Sequence, residues 1–100
     1  MENNDDIQEI FNKLKENYKS GLVEKKAELE EIISNFNNSE IDIDAIHGII
    51  HKLAGGSGVY GFRELSETAS DIEDDIINGI DDKKVLTKKI SALIDKINEL

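Results

Sequence analysis

The sequence predicts an all-α protein: an antiparallel up-down four-helix bundle with an additional N-terminal helical segment, built by residues 1–100 as one domain. Three observations carry this. The composition has no proline and no cysteine and is rich in Ile, Leu, Glu, Lys and Asp, which suits soluble helices. Apolar residues recur at spacings of three and four along several long stretches, and no stretch alternates with period two over a useful length. The breaks between stretches are short and polar or glycine-bearing, so consecutive helices are expected to be antiparallel neighbours.

Taken in order, Met1 to Asn4 should be loose, and Asp5 or Asp6 can cap a helix whose apolar positions are Ile7, Ile10, Phe11, Leu14 and Tyr18. The pattern continues through Leu22, Leu29, Ile32, Ile33 and Phe36. Gly21 permits a kink or a break, which leaves either one long bent helix or two. The segment before Gly21 is expected to cover one end of the bundle. The run Asn35 to Ser39 ends this region, and Asp42 or Asp44 starts the next helix. Gly61 marks a reversal, after which Phe62, Leu65, Ala69, Ile72, Ile76 and Ile80 repeat at helical spacing. Gly79 and Asp81-Asp82 form the next stop and start. The last helix carries Val85, Leu86, Ile90, Leu93, Ile94, Ile97 and Leu100 inward, with Lys83, Lys84, Lys88 and Lys89 on the wet side.

The bulk properties narrow the function. One hundred residues suffice for a single core. A net charge of −10 argues against nucleic acid and anionic membrane as partners. No apolar run approaches a membrane span, and residues 1–20 are unlike a signal peptide, so the chain is read as cytoplasmic; a monomer is expected. Without cysteine there is neither a disulfide framework nor a thiolate metal site.

The informative stretch is residues 45–62, AIHGIIHKLAGGSGVYGF. On a helix at about 100° per residue, Ile46, Ile49, Ile50, Leu53, Ser57 and Tyr60 gather on one side and His51 lies opposite. When that stripe packs inward, His51 faces water. Gly55 and Gly58 follow it by one and two turns on its own face, and Gly48 lies at the edge of that face. Each helical glycine costs about 0.8–1.0 kcal/mol relative to alanine. Bare backbone beside an exposed imidazole therefore points to a group that must be approached by something large. Such an imidazole is largely unprotonated at neutral pH and is nucleophilic.

The run from His51 to Phe62, HKLAGGSGVYGF, with Leu65 three residues on, resembles the signature of histidine-containing phosphotransfer (HPt) domains. Its wording is closest to the N-terminal phosphotransfer domain of chemotaxis-type histidine kinases. The resemblance implies a phosphocarrier that accepts a phosphoryl group on His51 and exchanges it with an aspartate of response-regulator receiver domains, supplied by a histidine kinase or hybrid kinase. It implies no cofactor on this chain, the divalent ion, Mg, belonging to the receiver. One departure is Ala54, where many members carry lysine.

Counting along the hairpin supplies an orienting group. With the reversal at Gly61–Phe62, the level of His51 falls ten to twelve residues into the following helix. Glu73 stands there, and a glutamate occupies this offset in the domains the chain resembles. A carboxylate accepting Nδ1–H would leave Nε2 to attack. The plain alternative is one more solvated acid among 22. Lys52 or Arg63 could place positive charge near the phosphate in place of the missing lysine, Lys52 only by reaching round the helix, and both could equally be ordinary surface cations. Ser57 reads as a packing residue bonding back to the Leu53 carbonyl. His47 and His51 have the i, i+4 spacing of two metal ligands, but no third ligand is marked out, so no metal is expected and His47 reads as a surface residue. Two other functional readings stay open: a phosphoacceptor domain excised from a multidomain histidine kinase, and an adaptor bundle that carries no phosphate.

Overall fold

The computed structural model describes residues 2–36 and 42–100, with side chains from Asp6 onward. Four helices follow one another: α1 (Glu2–Asn35), α2 (Ile43–Val59), α3 (Arg63–Ile77) and α4 (Lys83–Asn98). Among the described residues there is no strand, and no helix is long and apolar enough to cross a membrane. The all-α bundle is as expected. The ends of the polar run at Asn37–Ser39 lie outside the described residues.

Of the two alternatives left at Gly21, the structure takes the single long helix: α1 runs without interruption through Gly21 for 34 residues, about 51 Å. A helical glycine costs about 1 kcal/mol, whereas burying Leu22 and Leu29 beyond it stabilises by about 1.5–3 kcal/mol each. Burial wins and the helix continues. It also begins at Glu2, so Asp5 and Asp6 lie inside it instead of capping it. The other helices are 15 to 17 residues long, so α1 overshoots them and the molecule measures 55 × 24 × 20 Å. Ile7, Ile10 and Leu14 are accordingly exposed past the bundle, while Phe11, 6.1 Å from Tyr60, and Tyr18 cover the α2–α3 end as expected.

The caps are those the sequence marks. Asp42 accepts from the Ala45 amide at 3.1 Å, and Asp82 accepts from Lys84 and Val85. Both α2 and α3 close with a left-handed glycine, Gly61 at φ +81° and Gly79 at φ +86°. In each case the residue after the glycine donates five residues back, Phe62 to Ser57 and Ile80 to Asp75. This is the Schellman arrangement that satisfies the last carbonyls and turns the chain sharply.

The core takes Leu22, Leu29 and Phe36 from α1 and its end, Ile46, Ile50 and Leu53 from α2, Leu65, Ala69 and Ile72 from α3, and Leu86, Ile90, Leu93, Ile94 and Ile97 from α4. α2 and α3 form the broadest contact, and α1 packs chiefly on α4. Lys89 is not on the wet side as expected. It is half-buried between α3 and α4 and pairs with Asp75 and, at 3.2 Å, with Asp71, contacts that hold its ammonium above the ordinary lysine range, Asp75 foremost.

α1 meets α2 at one well-built place. The Tyr18 ring stacks on Tyr60 at 5.0 Å and lies 6.1 Å from Phe62, while its hydroxyl pairs with the buried Ser57 hydroxyl at 3.1 Å. The helical pattern alone had assigned that serine to the Leu53 carbonyl. A Cβ on Gly56 would come within 2.6 Å of the Tyr18 ring, so the glycine makes room for it. Gly55, one residue earlier, has nothing within 4 Å of where a Cβ would stand. The two glycines should therefore respond oppositely to the same change. Gly55→Ala is expected to raise stability by up to about 1 kcal/mol through helix propensity. Gly56→Ala should lower it by about 1 kcal/mol or more, because the ring must leave its stack. Urea melts of the two variants decide this, and equal effects would mean that Tyr18 is not held there.

Candidate functional site

The buried stripe Ile46, Ile50, Leu53 and Ser57 fixes the rotation of α2 and turns His51 outward, with 70 % of its side chain exposed. The α2–α3 hairpin then sets what faces it. Its turn is fixed by Gly61, and a second pin lies one helical turn above, where Ser66 Oγ donates to the Ala54 carbonyl at 2.7 Å. Ile72 is buried in the core, and the adjacent Glu73 emerges on the α2 side with only 17 % exposure. His51 Nδ1 lies 2.5 Å from Glu73 Oε2. A carboxylate can only accept, so Nδ1 carries the proton, and in the neutral ring Nε2 bears the free lone pair.

The same oxygen serves a second ring. His47, one turn before His51, places Nε2 3.0 Å from Glu73 Oε2, and the two ring centroids are 5.9 Å apart. The hydrogen bond from His51 holds the Glu73 carboxyl below its ordinary range. Burial pushes the other way, and the charge of His51 and the bond from His47 add to the lowering.

The remaining candidates separate. Gly48 and Gly55 are exposed, with open space where a Cβ would be. Gly58 also lies on the exposed side, but a Cβ there would come within 3.2 Å of Ser66 Oγ, so it answers to the α2–α3 packing as well. Lys52 is exposed beside His51 in the chain. Arg63 is not beside the imidazole. It opens α3 ten residues before Glu73, about 15 Å along the axis, and bonds Glu67 at 2.9 Å. Counting residues located the start of α3 but could not show which way that arginine would turn. Ala54 is half-buried against the core.

Sequence reasoning left His47 as a bystander. Its i, i+4 spacing to His51 was the available signal, and the missing piece was a carboxylate from α3 within reach of both rings. Tyr18 and Gly56 were also passed over, because the contact joining them spans 38 residues of chain and leaves no local trace.

Set against known proteins, residues 5–100 match the family model described as Hpt domain. Neither the curated proteins nor the solved structures yield a match.

The lowered Glu73 carboxyl has a consequence for stability. A group whose folded value lies below its unfolded one stabilises fully above the unfolded value, here 4.5, and loses that contribution as pH falls through the folded value. The melting temperature of the parent chain should exceed that of Glu73→Gln near neutral pH, and the gap should close as pH is taken below 4.5. Paired thermal melts across that range test this. A gap that stays constant would separate Glu73 from the imidazoles in solution.

Proposed function

Because the chain belongs to the Hpt family, whose members carry phosphoryl groups between kinases and response-regulator receiver domains in two-component phosphorelays, we propose that His51 is its phosphoacceptor and Glu73 the residue that positions the ring. The observation that carries this is the 2.5 Å contact between His51 Nδ1 and Glu73 Oε2 on a ring that is otherwise exposed. It leaves Nε2 with its lone pair and fixes the plane in which that lone pair points.

The lone pair of Nε2 attacks the phosphorus of an aspartyl phosphate on the receiver. The N–P bond forms, the bond from phosphorus to the aspartyl oxygen breaks, and the aspartate leaves as a carboxylate. The ring, now bearing phosphoryl on Nε2 and hydrogen on Nδ1, becomes cationic, and the Glu73 carboxylate stands against that charge. Phosphoryl transfer passes through a loose transition state, so positioning and charge account for most of the catalysis. The chain is thus a carrier: it supplies the acceptor ring and its orientation, and the divalent ion is expected on the receiver. Gly48 and Gly55 leave room for the receiver's active-site rim, and Lys52 can flank the phosphoryl group. A cytoplasmic monomer is the form in which this chemistry would run.

Incubation with phosphorylated receiver domains followed by intact-mass measurement at neutral to alkaline pH tests the assignment. His51→Gln should abolish phosphorylation and His47→Gln should retain it. The adduct should be acid-labile and alkali-resistant, as a phosphorus–nitrogen bond is. Phosphate on the His51 variant, or an acid-stable adduct, would move the acceptor elsewhere.

The open face of α2 gives a second test. Gly55→Ala should slow transfer while leaving the fold at least as stable, and Gly55→Leu should nearly stop it, since the added side chain stands one turn from His51 on the docking side. A stable Gly55→Leu variant that transfers at the parent rate would end the docking account.

A further inference from the structure

His47 has no part in the phosphoryl chemistry described above, yet its Nε2 is aimed at the same carboxylate oxygen as His51 Nδ1. The donor atoms of His47, His51 and Glu73 all lie within 4.8 Å of one another. The sequence marks no third ligand for this histidine pair, but the fold brings one from α3.

We propose that His47 Nε2, His51 Nδ1 and a Glu73 oxygen form a site for a borderline divalent transition ion, Zn(II) being the type, and that this ion, bound to unphosphorylated His51, excludes its phosphorylation. The donor set decides the class of ion. Two imidazoles and one carboxylate suit Zn(II), Co(II), Ni(II) or Cu(II), whereas Mg(II) and Ca(II) take oxygen ligands. Three protein ligands with an open side are the catalytic-type zinc arrangement, water completing the tetrahedron. That side is open here, with His51 70 % and His47 41 % exposed. Bonds of about 2.0–2.1 Å at tetrahedral angles put ligand atoms roughly 3.3 Å apart. The carboxylate now sits 2.5 and 3.0 Å from the two nitrogens, so to admit an ion it retreats by less than about 1 Å, and the two imidazole nitrogens, within 4.8 Å of each other, close by up to about 1.5 Å through rotamer adjustment.

The exclusion follows from the tautomer. Without metal, His51 holds its proton on Nδ1, toward Glu73, and Nε2 has the lone pair. An ion bound at Nδ1 takes that nitrogen's lone pair, and a neutral ring then carries its proton on Nε2. The proton has moved between nitrogens through solvent, and none is lost from the ring. Nε2 now has no lone pair with which to attack phosphorus. His47 changes in the mirror sense, from Nε2–H to Nδ1–H. Magnesium on a receiver would leave the site alone, so the carrier could be silenced by one class of divalent ion and served by the other.

The exclusion rests on the phosphoacceptor reading, whereas the binding does not, and the experiment separates them. Titrating Zn(II) into the full chain by calorimetry, with Co(II) absorption as a second readout, should show one ion per chain, with affinity falling at least about tenfold in His47→Gln and in Glu73→Gln and no heat from Mg(II). Circular dichroism confirms that each variant is folded. In a second arm, phosphoramidate serves as the phosphoryl donor, and one equivalent of Zn(II) should suppress phosphorylation of the parent chain. The acceptance shown by His47→Gln should be insensitive to the same Zn(II). Absence of Zn(II) binding, or binding unchanged in both variants, overturns the site whether or not His51 is phosphorylated. Zn(II) binding through these residues to a chain that stays fully phosphorylated overturns the exclusion. Binding to a chain that never accepts phosphate supports the site and removes the phosphoacceptor reading instead.

Discussion

The seating of Tyr18 over Gly56 is the contact on which the geometry of the rest depends. α1 packs mainly on α4 and shares the common core through Leu22 and Leu29, and Tyr18 is where it engages the end of the α2–α3 hairpin. The tyrosine does so at three points at once: its ring fills the space that a Cβ on Gly56 would occupy, its face stacks on Tyr60, and its hydroxyl pairs with buried Ser57. The Ser57 hydroxyl, 0 % exposed, thus has its partner on another helix. Tyr60 and Phe62 flank Gly61, whose φ of +81° makes the turn. The seat thus holds the hairpin at its bend, and the bend sets the register that brings Glu73 level with His51.

This alters what the glycine-rich motif is for. A reading from the sequence makes its glycines a cleared approach to the imidazole. The structure distributes them among distinct duties: Gly55 lies in the open, Gly56 receives an aromatic ring, Gly58 approaches Ser66, and Gly61 takes a left-handed turn. Only the first of these is left without a packing reason. The motif therefore encodes the end of the hairpin at least as much as a surface for a partner.

What the sequence revealed and what it hid divide along the same line. The stripe of α2, the caps at Asp42 and Asp82 and the glycine stops are local, because periodicity and capping act within a few residues. Glu73 was found by counting because an antiparallel hairpin with a tight turn converts chain distance into spatial level at a fixed rise. Continuity of α1 through Gly21 was legible only as one of two alternatives, since a helix penalty of about 1 kcal/mol is decided by core burial further along. For Arg63 both readings stayed open, because counting gives a level along a helix and says little about the reach of a long side chain at its start; its bond to Glu67 fits the surface-cation reading. His47 was undervalued because its partner lies 26 residues away and is shared with His51.

The charges around His51 bear on how a carrier can give up what it accepts. α2 and α3 together hold two cations, Lys52 and Arg63, and α3 alone holds six acids. Arg63 is engaged with Glu67 at the far end of α3, and the position where lysine is frequent is Ala54, half-buried against the core. A phosphoryl group on His51 would then have Glu73 compensating the cationic ring and Lys52 as the one cation of α2 to compensate the phosphoryl oxygens. Like charges nearby raise the energy of the phosphorylated state and favour release to a partner that brings its own positive charge. On this view the missing lysine is consistent with a carrier that relies on the receiver for electrostatic stabilisation.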